Sequence, residues 1–170
     1  MTKKQQKKKT GPERSRPSHP RPLVIRPVRS SDGKNFLALV DALADYEKLP
    51  RPDRASRARL LRDATGPRRR VDAYLALTDG AAVGYAILFE TYSSFLARPT
   101  LYLEDIFILP AYRGSGIGRR LFAFCRGEAR RRRCGRMEWV VLGWNRPAIR
   151  FYERLHARRM KEWLLYRITL

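Results

Sequence analysis

Acidic residues are scarce in this chain: 16 Asp and Glu stand against 37 Lys and Arg in 170 residues, a formal net charge of +21. Such an imbalance attracts anions, whether a phosphorylated cofactor, nucleic acid or acidic lipid. Cysteine is scarcer still. Cys125 and Cys134 make no disulfide framework, which excludes a small cross-linked secreted scaffold and suits a reducing cytoplasm. No apolar run approaches the ~18 residues of a membrane span, and the charged N-terminus lacks the apolar h-region of a secretory signal. No internal repeat is visible and no metal centre is expected. What is left is one cytoplasmic domain, with no membrane partner, long enough to bury a real core.

The charge is unevenly spread. Residues 1–22 carry eight Lys and Arg against Glu13, a net of +7, leaving +14 for residues 23–170. Four prolines and almost nothing apolar make this stretch unable to offset its own ordering entropy, so a disordered basic tail is expected over 1–22 and a folded domain over 23–170. Nucleic acid is a conceivable partner of that tail; a solubilising extension is the plainer reading.

The folded part is organised around residues 101–118. Leu101 to Leu109 is apolar, interrupted by Glu104-Asp105 and closed by Pro110, and reads as a strand. Arg113-Gly114-Ser115-Gly116-Ile117-Gly118 reads as a turn opening a helix whose apolar stripe is Ile117, Leu121, Phe122, Cys125 and Ala129. Strand, glycine turn and helix N-terminus together make a phosphate holder. The glycines admit close approach, the first N–H groups are free, and the helix dipole favours negative charge. A dinucleotide fingerprint would want a carboxylate about 20 residues on, where Arg136 stands, and a Walker loop would end in Gly-Lys-Ser/Thr rather than Gly118-Arg119-Arg120.

Around this centre the pattern predicts a strand at 23–27 and a helix capped by Ser31 or Asp32, with Phe36, Leu37, Leu39, Val40, Leu43 and Ala44 inward. A second helix runs from Asp53 to Ala64. Strands 71–77 and 81–90 flank an Asp79-Gly80 hairpin turn. A strand at 137–142, a helix capped by Asn145 and running to about Leu155, and a last strand at 164–170 complete the order. The run Arg130 to Arg133 ends the central helix, where cations complement the dipole.

Three segments carry a family resemblance: Leu101-Tyr102-Leu103-Glu104-Asp105, Arg113-x-x-Gly116-x-Gly118, and Trp144-Asn145-x-Pro147-x-Ile149-x-Phe151-Tyr152. Together they resemble the Gcn5-related N-acetyltransferases (GNAT), and within them the diamine (spermidine/spermine) acetyltransferase branch, over roughly residues 23–170. The resemblance implies the α/β GNAT fold, a mixed, mostly antiparallel sheet flanked by helices. It implies acetyl-CoA as cofactor, with CoA as product, and a homodimer.

Amide formation from an amine and a thioester needs a proton taken from the amine, an oxyanion held, and a thiolate protonated. Alkyl amines, with pKa near ~10.4, are almost wholly protonated at neutral pH. Glu104, mid-strand in an apolar run, is the candidate base and a substrate contact; its plainer reading is an ion pair with a nearby arginine. Asp105 points to the opposite face by strand alternation and reads as structural. Tyr152 shares a helical face with Ile149 and Leu155, which by itself reads as packing. The resemblance makes it the general acid. It also assigns the pyrophosphate to Arg113, Gly114, Ser115, Gly116, Ile117, Gly118 and Arg119. The pantetheine arm and oxyanion fall to Ile106, Phe107 and Ile108, further cofactor contact to Asn145, and the amine to Tyr46, Glu47, Glu104 and Glu162.

Two positions depart from the branch. Gly143 stands where an acid often precedes Trp-Asn, and His156 replaces a helix-ending glycine, predicting a strained C-cap. The leading expectation is transfer to a small primary amine, a polyamine or lysine-like compound, by direct attack in a ternary complex. The alternatives are a macromolecular amine on a protein or aminoacyl-tRNA, or a non-enzymatic nucleic-acid-binding module.

Overall fold

The computed structural model describes residues 22–169. All but the last residue of the expected tail, and Leu170, lie outside them. The elements are β1 (Leu23–Pro27), α1 (Gly33–Glu47), α2 (Arg54–Thr65), β2 (Asp72–Thr78), β3 (Ala81–Ser93), β4 (Arg98–Ile108), α3 (Ile117–Arg131), β5 (Arg136–Glu138) and α4 (Arg146–Arg154). They build one mixed sheet of order β1-β2-β3-β4-β5, antiparallel except for the parallel β4–β5 pair.

Local chemistry explains the boundaries. Asp53 caps α2 by accepting from the Ser56 N–H at 2.6 Å. Asp79 and Gly80 both take positive φ between paired Thr78 and Ala81, the two-residue hairpin that their sequence announces. Asp32 behaves differently from expectation. It precedes α1, but its carboxylate accepts from the Arg29 N–H and pairs with Arg26 at 2.6 Å instead of capping the helix.

Both faces of the sheet are covered. Phe36 and Leu39 of α1 and Ala64 of α2 pack on Leu75, Tyr85, Ile87 and Phe107. Leu121, Phe122 and Cys125 of α3 pack on Ala76, Ala86, Leu88, Leu101 and Leu103, with Phe151 and Tyr152 of α4 beside them. The inward face of α3 is the apolar stripe read from the sequence, and that of α1 is so apart from Leu37, while α4 turns in Phe151 rather than Ile149; burial of these side chains holds the layers together.

Two expected strands are altered. The strand expected at 137–142 is ordered as β5 only over Arg136–Glu138, opposite Thr100, Leu101 and Tyr102. Beyond it the chain leaves the ladder, and Val140, Val141 and Leu142 stand exposed. The strand expected at 164–170 does not form over its described residues: Leu164, Leu165, Tyr166 and Ile168 are exposed and pair with no other strand. Once 139–142 has diverged, β5 offers no edge long enough to receive that segment.

Candidate active site

The divergence of the chain from β4 makes the site. β4 runs to Ile108, but β5 accompanies it only to Tyr102, so on that side the backbone from Leu103 to Ile108 has no strand partner. A cleft of about 1340 Å³ occupies the gap, walled by β4, by Val140, Val141 and Leu142, by the glycine turn and α3, and by α4.

At one end lies the turn. Gly114 and Gly116 have φ of +78° and +85°, a region that side chains other than glycine enter at a cost. The first bond of α3 joins the Arg120 N–H to the Gly116 carbonyl at 3.1 Å, so the N–H groups preceding it have no partner within the helix. Arg113 is folded back rather than free in solvent. Its Nε donates to the Ile108 carbonyl at 2.9 Å, and its guanidinium lies 4.5 Å from the Tyr46 ring centre and 5.4 Å from that of Phe107.

Tyr46 is also tied to the far wall. Its hydroxyl donates to Asn145 Oδ1 at 3.2 Å, and its ring lies 5.8 Å from Trp144. The same Asn145 oxygen accepts the Ala148 N–H at 3.2 Å, so Asn145 caps α4 while anchoring the cleft. Tyr152, the last aromatic of α4, packs against Trp139, Phe122 and Phe151 and lines the cleft. Burial pushes its hydroxyl up to about 12, which keeps the phenol protonated.

The sequence reading missed Asp105. The β3–β4 register slips at this point: Ile87 faces Asp105 and Leu88 faces Leu103, leaving Glu104 as the extra residue of a bulge. Strict alternation would send Asp105 away from Glu104; the bulge brings both to the cleft. The signal was present, since two adjacent acids in an apolar strand suit a bulge better than a regular pleat. Asp105 Oδ2 accepts from the Tyr85 hydroxyl at 3.1 Å. Burial, reinforced by Glu104 and Glu47, nevertheless raises its carboxyl to about 6. Glu47 is also raised by burial. Three carboxylates thus converge in a cleft also lined by Tyr46, Tyr152, His156, Arg167 and the arginines of the turn, α3 and α4.

The residues expected from the sequence mostly assemble. Tyr46, Glu47, Glu104, Ile106, Phe107, Ile108, Arg113, Gly114, Gly116, Gly118, Arg119, Asn145 and Tyr152 all line the cleft. Three stand elsewhere. Ile117 is buried in the core, Ser115 turns its hydroxyl to the Tyr112 carbonyl at 2.6 Å, and Glu162 is exposed outside the lining. Among the described residues no cluster of His, Cys, Asp and Glu could hold a metal ion, and no helix is long and apolar enough to cross a membrane.

Residues 36–157 match the sequence profile described as the Acetyltransferase (GNAT) family. A thialysine N-epsilon-acetyltransferase of Mus musculus is 31% identical over 154 residues, 84% of this chain and 90% of that protein. An L-ornithine N5-acetyltransferase of Arabidopsis thaliana is 42% identical over 93 residues, 55% of this chain and only 41% of that protein. Among solved structures, a possible acetyltransferase from Clostridium difficile 630 superposes with a TM-score of 0.76 at 17% identity, covering 87% of this chain and 97% of that one. A ribosomal-protein-alanine N-acetyltransferase of Brucella melitensis does so with 0.72 at 23%, covering 88% and 99%.

Proposed function

Because the chain belongs to the GNAT family and is an N-acetyltransferase, we propose that it moves an acetyl group from acetyl-CoA to the primary amine of a small molecule, a polyamine or lysine-like compound. The observation that carries this reading is the cleft itself. It joins an open strand edge and an unpaired helix N-terminus to a group of carboxylates and a protonated phenol. The chain's relatives are named for thialysine, L-ornithine and, at 29% identity over 155 residues, spermidine/spermine. That set supports an amine with a second polar end.

The residues present fit the cofactor. Backbone N–H groups from Gly114 to Arg119 would hold its phosphates at the α3 N-terminus, and the free edge at Ile106 to Ile108 would pair with its amide-bearing arm. The cofactor supplies an activated acetyl thioester. Ser115 and Ile117 contribute backbone alone, since their side chains are engaged elsewhere. Arg113 positions the turn through Ile108 and Tyr46 rather than spending its guanidinium on phosphate.

At the amine end, Glu47, Glu104 and Asp105 attract the ammonium, and Tyr46 gives it an aromatic wall. The bulge carboxylates take its proton, Glu104 being the expected base. Tyr152 gives its proton to the departing thiolate, for which a protonated hydroxyl is required. Attack is direct, because Cys125 is buried in the core and Cys134 does not line the cleft. Both cysteines are free, as suits the reducing cytoplasm proposed for the protein. A homodimer is proposed with the same reading, and the exposed C-terminal segment favours it.

CoA release should be measured with spermidine, putrescine, thialysine, ornithine and an aminoglycoside. One small amine is expected to turn over, and Tyr152→Phe to lower kcat by about 10²-fold or more with little change in KM. Glu104→Gln should lower kcat/KM. Cofactor binding without turnover of any small amine would move the assignment to a macromolecular amine. No cofactor binding would overturn the site.

A further inference from the structure

The far end of the sheet, remote from the glycine turn, gathers arginines from four separate stretches of chain. β2 begins there, β3 ends, β4 and β5 begin, and α3 ends. The register fixes this: Asp72 faces Leu88, Glu90 faces Leu101, Ser93 faces Arg98, and Thr100 faces Arg136. The end of α3 is stitched to the same place by the Gly135 N–H, which donates to the Pro99 carbonyl at 2.8 Å. A small cavity of about 170 Å³ brings Arg69 and Arg70 beside Asp72, Glu90 and Arg132.

The acids at this end are already engaged. Arg132 pairs with Asp72 at 2.8 Å, Glu90 at 3.4 Å and Glu128 at 3.2 Å. Glu128 also meets Arg131 at 2.5 Å, Glu138 meets Arg136 at 3.0 Å, and Asp63 meets Arg62 at 3.0 Å. Arg68, Arg69, Arg70, Arg98, Arg130 and Arg133 are exposed and have no ion-pair partner among the described residues. Sequence alone presents Arg130 to Arg133 as a helix-end run answered by the dipole. Folding splits it: Arg132 becomes a half-buried hub that consumes the local acids, leaving its neighbours uncompensated.

Aromatic surface stands at the same end. The end of β3 exposes Tyr92 at 68% and the β3–β4 connection exposes Phe95 at 96%, with Leu96 between Phe95 and Arg98. Neither aromatic ring has a ring partner within the described fold. Such rings cost free energy in water unless something covers them, and flat bases do so irrespective of sequence.

We propose that this arginine-rich end, with Tyr92 and Phe95, is a binding surface for single-stranded nucleic acid, separate from the acetyl-transfer cleft. Every unpaired cation in it is arginine, whose planar fork matches a phosphodiester and stacks on bases. A membrane surface would ask for a longer apolar stripe than three hairpin residues. The inference does not rest on the acetyltransferase reading, since none of these residues lines that cleft.

The test is fluorescence anisotropy of the full chain with a labelled 20-nucleotide RNA of mixed sequence, titrated across salt concentrations. The same-length duplex and phosphatidylserine vesicles run in parallel. Six phosphate contacts predict a slope of log K on log salt of about −4 for a single strand. Replacing Arg68, Arg69, Arg70, Arg130 and Arg133 by Gln should weaken binding at least tenfold and flatten the slope to about −1, with CoA release unchanged. Tyr92→Ser with Phe95→Ser, which leaves the charge intact, should weaken the single strand about tenfold and the duplex little. Three results would overturn the proposal: wild-type affinity in both variants, loss of binding only on removing residues 1–21, or binding to vesicles without binding to RNA.

Discussion

Tyr85 is buried against Phe36 and Phe107, and its hydroxyl reaches one group that titrates near neutrality, Asp105. A hydrogen bond to a carboxylate favours the charged form, so Tyr85 opposes the desolvation that raises Asp105 to about 6. Tyr85→Phe removes that donor and leaves the ring. The acid limb of the kcat/KM profile is expected to move to higher pH by about one unit, the equivalent of one charge-assisted hydrogen bond. Asp105→Asn should abolish that limb, and a pH series on the three proteins checks both outcomes. Stability carries the opposite sign. Because folding raises this acid above its ordinary value, the folded state is favoured below about pH 4 and loses that margin as pH rises through about 6. None of this was legible from alternation, which assigned Asp105 to the other face. A one-residue bulge is decided by the partner strand, and its trace in the sequence is only the Glu104-Asp105 pair.

At the scale of elements, α4 ends in a way its sequence resists. His156 sits at φ +62°; its N–H reaches the Glu153 carbonyl at 2.9 Å, and the Ala157 N–H reaches the Tyr152 carbonyl at 3.1 Å. These are the two bonds of a Schellman cap, whose left-handed position favours glycine. The strain expected from the sequence is therefore present, and it is tied to the carbonyl of Tyr152. His156→Gly should relieve about 1 kcal/mol and raise Tm by about 2–4 °C, read by thermal unfolding with CoA bound and absent. The α3 face, the Asn145 cap and the Asp79-Gly80 turn were legible because they are set by contacts within a few residues, whereas Asp32, read as a cap of α1, is drawn off by Arg26. The shortening of β5 was not. The run Met137 to Leu142 is apolar enough for a strand, but the parallel pair parts after Tyr102, just before the Glu104 bulge of β4, a partner-strand feature that the run itself does not encode.

For the whole molecule, the segment that forms no last strand bears on assembly. Trp163, Leu164, Tyr166 and Ile168 form an apolar segment exposed to water at 72%, 74%, 85% and 86%. Such a patch marks an interface. Sedimentation at micromolar concentration is expected to give twice the chain mass, and Leu164→Lys with Tyr166→Lys to give a monomer. A wild-type monomer would remove the homodimer from the proposal. The family and its layered architecture were readable from the resemblance that three short motifs carry together, since a glycine turn after an apolar strand also serves other phosphate-holding folds. The spatial meaning of the +21 charge was not, since it emerges only when stretches 60 residues apart meet at one end of the sheet. The open side of β4 has a last consequence. A row of unpaired N–H and C=O groups is a template on which another extended chain can grow, and this protein carries such a chain, apolar and unpaired, at residues 163–168. The gap in which the proposed cofactor would lie is thus also the edge most exposed to aggregation when empty, and a ligand pairing there would guard against fibre-like self-association.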